Sequence, residues 1–161
     1  MKLLEDKLDI YSITVMVQKE VAKRITATPE SNDSGAITYA INYYTEPSIV
    51  LDVPKESFIP APEVESSVIK LKVLDKPSVN VRSEELLFKV IKVSFMQKRK
   101  TLLNSLTNGN ILKNKNEVEK MLVDLDIDTK IRPEKLNLEE FANIADYVYN
   151  IVGVGVPDDP A

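Results

Sequence analysis

The segment Phe58-Ile59-Pro60-Ala61-Pro62-Glu63-Val64-Glu65-Ser66-Ser67, which runs into Val68-Ile69-Lys70-Leu71, constrains this chain more than any other stretch. Each proline fixes φ at about −65° and lacks a backbone donor, so Pro60 and Pro62 cannot lie inside a sheet. They make a stiff, extended loop directly before an alternating strand. Such a loop holds the Phe58 ring at a fixed place by the end of a sheet, where it can stack on a flat ligand such as a base. The competing reading of Phe58 is a core plug under the loop.

Periodicity divides the chain into two characters. Met1–Leu8 reads as the end of a helix and Asp9–Val17 as a buried strand of β-branched residues. Gln18–Thr26 follows as an amphipathic helix with Val21, Ala22 and Ile25 inward, then a polar loop from Thr28 to Gly35. The pattern of Ala36–Tyr44 fits helix or strand. Ser48–Val53 and Ser66–Leu74 are strands. Asp75-Lys76-Pro77-Ser78-Val79-Asn80 interrupts both periodicities and reads as a linker.

Helical character takes over beyond it. Ser83 is a cap with Glu84 and Glu85 in the first turn, and Leu86, Leu87, Val90, Ile91 and Phe95 form the apolar side. Further helices are expected at Lys100–Leu106, ended by Asn108-Gly109, at Asn116–Leu125 and at Leu138–Val152. The expected fold class is therefore α/β plus α. Its domains are residues 1–75, a linker over 76–82, a helical domain over 83–152 and a disordered tail over 153–161.

Charge is unevenly spread. The net charge is −4, yet Leu87–Asn116 holds seven cations (Lys89, Lys92, Lys98, Arg99, Lys100, Lys113 and Lys115) and no acid, which leaves −11 on the rest. A local positive field of this kind can track phosphates on an acidic protein, although a solvated helix face gives the same pattern. Gln97–Lys100 would set several cations on one helical turn, with Arg99 offering a planar fork to phosphate. Arg24 and Arg132 sit among acids and read as structural. There is no cysteine and no histidine, which excludes disulfides, Cys or His nucleophiles and the usual zinc sites. A cysteine-free chain fits a reducing cytoplasm. No apolar run approaches the roughly 20 residues of a membrane span, and the first residues lack the features of a signal peptide.

Phe58-x-Pro60-x-Pro62-x-Val64-x-Ser66-x-Val68 resembles the loop-and-strand signature of the rRNA adenine N6,N6-dimethyltransferases that act on small-subunit rRNA. Gln18–Arg24 is similar to the helix after that fold's fifth strand. Phe95–Leu106 resembles the family's basic segment, with Lys98 where a second arginine is usual. Arg132–Phe141 resembles its last loop and helix, and Ser34 replaces an aromatic often found before the glycine. The resemblance favours a helix for Ala36–Tyr44. It implies that the first unit is the C-terminal remnant of a Rossmann-like methyltransferase sheet, and that the second positions RNA. It also implies that Phe58 stacks on the target adenine in a pocket shaped by Pro60 and Pro62.

The resemblance implies S-adenosylmethionine as cofactor of the parent enzyme and small-subunit rRNA or a pre-ribosomal particle as partner. The family's glycine-rich loop and Asn-Leu-Pro-Tyr motif do not occur in this sequence, whose four glycines (Gly35, Gly109, Gly153 and Gly155) form no nucleoside cradle. The chain is thus expected to bind no cofactor and to be inactive alone. If the sheet follows the family order, strand Asp9–Val17 lies open and the chain self-associates through it. The alternatives are a relative acting on large-subunit rRNA, a stand-alone RNA- or ribosome-binding module, and a purely structural interaction domain.

Overall fold

The computed structural model describes residue 4, residues 9–97 and residues 99–153. The chain divides into two compact units between Ser78 and Val79. Of the expected N-terminal helix only Leu4 is described, helical and buried. The expected tail lies outside the described residues beyond Gly153.

Among the described residues the first unit holds a three-stranded sheet and, besides Leu4, two helices. Strand β1 (Ser12–Gln18) runs straight into helix α1 (Lys19–Thr26), and α2 (Ala36–Tyr44) runs straight into β2 (Thr45–Val53). A short 3-10 turn, Lys55–Ser57, precedes β3 (Ser66–Val73). The order is β1-β3-β2, and β3 is antiparallel to both neighbours. Ser67, Ile69 and Leu71 on β3 are buried while Lys70 and Lys72 are exposed, which is the alternation of a sheet packed on one face. Ala22, Ile25, Tyr39, Ile41 and Tyr43 from the helices complete that core.

Thr38 joins the two helices. Its hydroxyl donates to the Arg24 carbonyl at 2.6 Å and accepts from the Gly35 N–H at 2.9 Å, so the start of α2 is fixed to the end of α1. Val21, expected inward, is exposed on the far side of α1. An eight-residue helix presents a narrow stripe, and Ala22 and Ile25 already fill it. Strand β2 starts three residues earlier than expected and includes Pro47, which an edge strand tolerates because its N–H side is free.

Among the described residues the second unit holds four α-helices, α3 (Glu84–Phe95), α4 (Leu102–Asn108), α5 (Lys115–Asp124) and α6 (Leu138–Val152), and a 3-10 turn at Pro133–Lys135. Each α-helix starts on a side-chain cap. Ser83 accepts from Leu86 N–H, Thr101 from Asn104, Asn114 from Glu117 and Asn137 from Glu140. In α6 the exchange is reciprocal, with the Glu140 carboxylate accepting from the Asn137 N–H at 2.7 Å. Leu87, Ile91, Leu102, Leu106, Met121, Leu122, Phe141 and Ile144 are fully buried in the core. Arg82 ties the start of the unit to α6, donating from its backbone to Asp146 at 2.9 Å and from its guanidinium to Asn150 at 2.7 Å.

Gly109 closes α4 where α3 passes nearest. A Cβ there would stand 2.0 Å from Val93 Cγ1, so a side chain at this position would force the helices apart. The expected helix from Lys100 begins instead at Leu102, because Thr101 turns out of the helix to cap it. Among the described residues no helix is long and apolar enough to cross a membrane.

Candidate nucleic-acid interface

The loop between β2 and β3 carries the first set of candidate residues. Val53 and Ser66 pair across its base, and the 3-10 turn ends with the Phe58 N–H donating to the Lys55 carbonyl at 3.3 Å. Phe58 is half-buried, with intermediate exposure. Ile59, Pro60 and Pro62 are exposed, and the Ile59-Pro60 peptide is cis.

An ion cluster fixes both ends of this loop. The Lys19 ammonium, at the start of α1, donates to Glu65 at 2.7 Å and lies 3.2 Å from Asp52. The Lys19 N–H donates to the Glu65 carbonyl at 3.0 Å, and the Ser67 hydroxyl donates to Asp52 at 2.6 Å. Asp52 thus anchors the end of β2, Glu65 the last loop residue, and Lys19 joins them. The bond to Glu65, then that to Asp52, holds the Lys19 ammonium above its ordinary pKa. The Ser67 hydroxyl, then Lys19, holds the Asp52 carboxyl below its own. Glu65 is engaged by Lys19, and Glu20 by Arg24 at 3.3 Å. Sequence reasoning missed this cluster, since its members are up to 46 residues apart and no local pattern joins them.

The cations of the second unit are displayed differently. Lys89 and Lys92 lie one turn apart on the exposed side of α3. Lys113 precedes α5 and Lys115 opens it, both exposed. An open cavity of about 590 Å³ is lined by Asn110, Ile111 and Lys113, and a smaller one of about 150 Å³ by Asn110, Ile111 and Lys89. The structure therefore brings Lys89 and Lys113 to the two sides of one loop. Arg99 and Lys100 occupy a separate turn, and Lys98 lies outside the described residues. Among the described residues, Lys89, Lys92, Arg99, Lys100, Lys113 and Lys115 form no ion pair.

One expectation is corrected here. Gln97–Lys100 is not a helical turn. Helix α3 ends at Phe95, Met96 N–H closes back on Val93, and Lys100 N–H donates to the Gln97 carbonyl at 3.0 Å. Gln97 accepts from the Asn108 side chain at 3.1 Å, which ties the turn to the end of α4. Arg99 and Lys100 are therefore presented by a turn and not stacked along a helix face. Arg24 and Arg132 do have acidic partners, Glu20 at 3.3 Å and Glu134 at 3.9 Å.

Residues 1–150 match the family model described as ribosomal RNA adenine dimethylase. The chain belongs to the ribosomal RNA adenine dimethylase family. It is 45% identical over 145 residues to ribosomal RNA small subunit methyltransferase A of Alkaliphilus oremlandii, covering 90% of this chain and 50% of that protein. The namesake from Bacillus licheniformis is 44% identical over 154 residues, covering 94% of this chain and 53% of its own length. The chain thus spans about half the length of the curated relatives it matches.

Two solved structures share the fold. The dimethyladenosine transferase from Plasmodium falciparum superposes with a TM-score of 0.71 at 22% identity, over 93% of this chain and 61% of that one. The 23S rRNA methyltransferase ErmE gives a TM-score of 0.61 at 17% identity, over 91% of this chain and 58% of that one. The α/β plus α class, with a Rossmann-like first unit, is that of rRNA methyltransferases.

Proposed function

We propose that this chain is the RNA-facing part of an enzyme that dimethylates N6 of adenines in small-subunit rRNA during ribosome biogenesis in the cytoplasm. The observation that carries the reading is the half-buried Phe58 on a loop fixed at both ends by Lys19. A base drawn out of its stack needs an aromatic platform already in place, because ordering one on binding would oppose the stacking gain. Phe58 is that platform, and Pro60 and Pro62 set the outer wall of the base pocket. The small-subunit assignment is supported by relatives that carry that name at close to half identity.

Residues 1–75 form the base-wall domain, 76–82 the linker and 83–152 the RNA-positioning domain. There Lys89, Lys92, Lys98, Arg99, Lys100, Lys113 and Lys115 hold phosphates without reading sequence. The methyl donor of the parent enzyme is S-adenosylmethionine. Among the described residues the glycines at 35, 109 and 153 are scattered among three unrelated turns and form no glycine-rich cradle for it. The chain alone orients a base and catalyses nothing.

A small-subunit rRNA hairpin with unpaired adenines, titrated by fluorescence anisotropy, tests this reading. Tight, salt-sensitive binding that weakens in Phe58→Ala, with no methyl transfer from S-adenosylmethionine, is expected. Equal binding by wild type and Phe58→Ala would remove the platform role. The six cations that form no ion pair among the described residues favour a second reading, a stand-alone RNA-binding module. Methyl transfer that stays absent when the glycine-rich half of a curated relative is supplied in trans would favour it.

A further inference from the structure

The larger cavity of the helical unit holds groups that the proposed RNA contacts leave unused: Lys120, Tyr147 and Ile151. At about 590 Å³ it has the size of a small-ligand site, and it lies wholly within residues 110–152. One wall is the loop after α4. Asn110 adopts the left-handed conformation at φ 51°, and the Asn110 and Ile111 N–H groups donate back to the Thr107 and Leu106 carbonyls. That turn buries Ile111 and Leu112 and fixes the loop before any ligand arrives. A second wall is the end of α6, where Ile151 is 54% and Val152 49% exposed. Tyr147, one turn earlier, lines the same space, and its hydroxyl donates to Asp124 at 2.5 Å, which holds the ring.

Two ammonium groups border this apolar space. Lys113 precedes α5 and Lys120 lies in its second turn, beyond the acid-free run Leu87–Asn116. Glu117 stands between them in sequence. Its carboxylate accepts from the Lys113 N–H at 3.3 Å and from the Asn114 side chain at 3.1 Å. The acid is thus spent on the loop, and among the described residues neither ammonium forms an ion pair. An apolar, ring-lined space bordered by uncompensated cations fits an anion with a flat body. The cavity is open, so an acyl chain would leave much of its length in water, whereas a nucleoside phosphate can keep its sugar and base edge wet. Asn110 offers an amide to such an edge. The smaller cavity shares Asn110, Ile111 and Val152 and reaches Lys89, so a third cation lies along the same loop. We propose that the larger cavity binds one nucleoside monophosphate unit, with its base against Ile111, Tyr147 and Ile151 and its phosphate held by Lys113 and Lys120. That unit belongs to a single-stranded RNA or is a free nucleotide. The inference stands without Phe58 or the Arg99–Lys100 turn.

Amide chemical shifts of the full chain, titrated with adenosine monophosphate, test this site. Shifts should centre on Leu112, Lys113, Lys120 and Ile151, with millimolar affinity. Adenosine alone and inorganic phosphate alone should each bind roughly tenfold more weakly. Lys113→Gln and Lys120→Gln should each weaken binding by roughly two- to fivefold. Ile151→Glu, a change at an exposed position, should abolish it with unchanged far-ultraviolet circular dichroism. A hexa-adenylate RNA that moves the same amides at lower concentration assigns the site to RNA. A response there to the mononucleotide but not to the hexamer assigns it to a free nucleotide. No response of these amides at tens of millimolar would overturn the proposal. So would an equal response to phosphate alone, wild-type binding by Lys120→Gln, or shifts set by protein concentration and not by nucleotide, the mark of a second copy in the cavity. The mononucleotide titration is read on the helical unit and Phe58→Ala on RNA affinity, so either reading can fail without the other.

Discussion

The Phe58 loop and the cation-bearing helical unit use charge in opposite ways. Around the loop, Lys19, Asp52 and Glu65 neutralise one another and convert charge into position. In the helical unit, Lys89, Lys92, Arg99, Lys100, Lys113 and Lys115 are exposed and pair with no acid among the described residues. Where charge is paired off at the base of the loop, the group left over is an aromatic ring. Where charge is left over, the fold beneath it is held by caps and apolar packing. Under the proposed reading the difference separates two tasks, stacking on a base in the first unit and holding a backbone in the second.

The largest effect expected from breaking this division is on base stacking. Phe58→Ala should weaken binding to RNA with unpaired adenines by about 1–3 kcal/mol, roughly 5- to 150-fold, as read by anisotropy titration. Phe58→Trp should retain binding. Next comes the scaffold under the cations. Gly109→Ala, with its Cβ against Val93, should destabilise the helical unit by about 1–3 kcal/mol in urea unfolding while leaving hydrogen exchange of the first unit unchanged.

A smaller and more local effect is expected at the loop anchor. Lys19→Met should speed hydrogen exchange in residues 55–65 and weaken adenine binding less than Phe58→Ala does, with no change in the helical unit. Exchanging the charges, Lys19→Glu with Glu65→Lys, should restore part of the protection. The smallest effect is the pH dependence of the same anchor. Asp52 has a lowered folded pKa, so its contribution is present above the ordinary carboxylate range and lost as pH falls below it. Lys19 has a raised folded pKa, so its contribution is present below its ordinary value and lost as pH rises beyond it. Loop exchange should therefore be flat near neutrality and speed up only at the two extremes.

Much of this architecture was legible in the chain because its signals are local. Ser83 with Glu84 and Glu85 announced α3, and Leu138–Val152 was bounded by its own periodicity. The aromatic before two prolines likewise marked the loop. What local pattern could not show was long-range. Strand β3 lies between β1 and β2, an order no neighbouring residues encode. The Lys19 cluster depends on that order, since only the antiparallel pairing of β3 brings Glu65 and Ser67 beside Gln18 and Asp52. Gln97–Lys100, expected as a helical turn, lies outside both α3 and α4. The break comes from Thr101 capping the next helix and Gln97 bonding Asn108. Tertiary contacts overrode propensity there.

The most direct test of the division between stacking and charge is the salt dependence of RNA binding by wild type, Phe58→Ala and the double variant Arg99→Gln/Lys100→Gln. Single-stranded RNA should give a slope of log K against log salt that flattens by about 0.7 for each phosphate contact removed. The account predicts that Phe58→Ala lowers affinity with the wild-type slope, while the double variant flattens the slope by roughly 1.4 and keeps the preference for unpaired adenine. A flattened slope in Phe58→Ala, or an unchanged slope in the double variant, would contradict it.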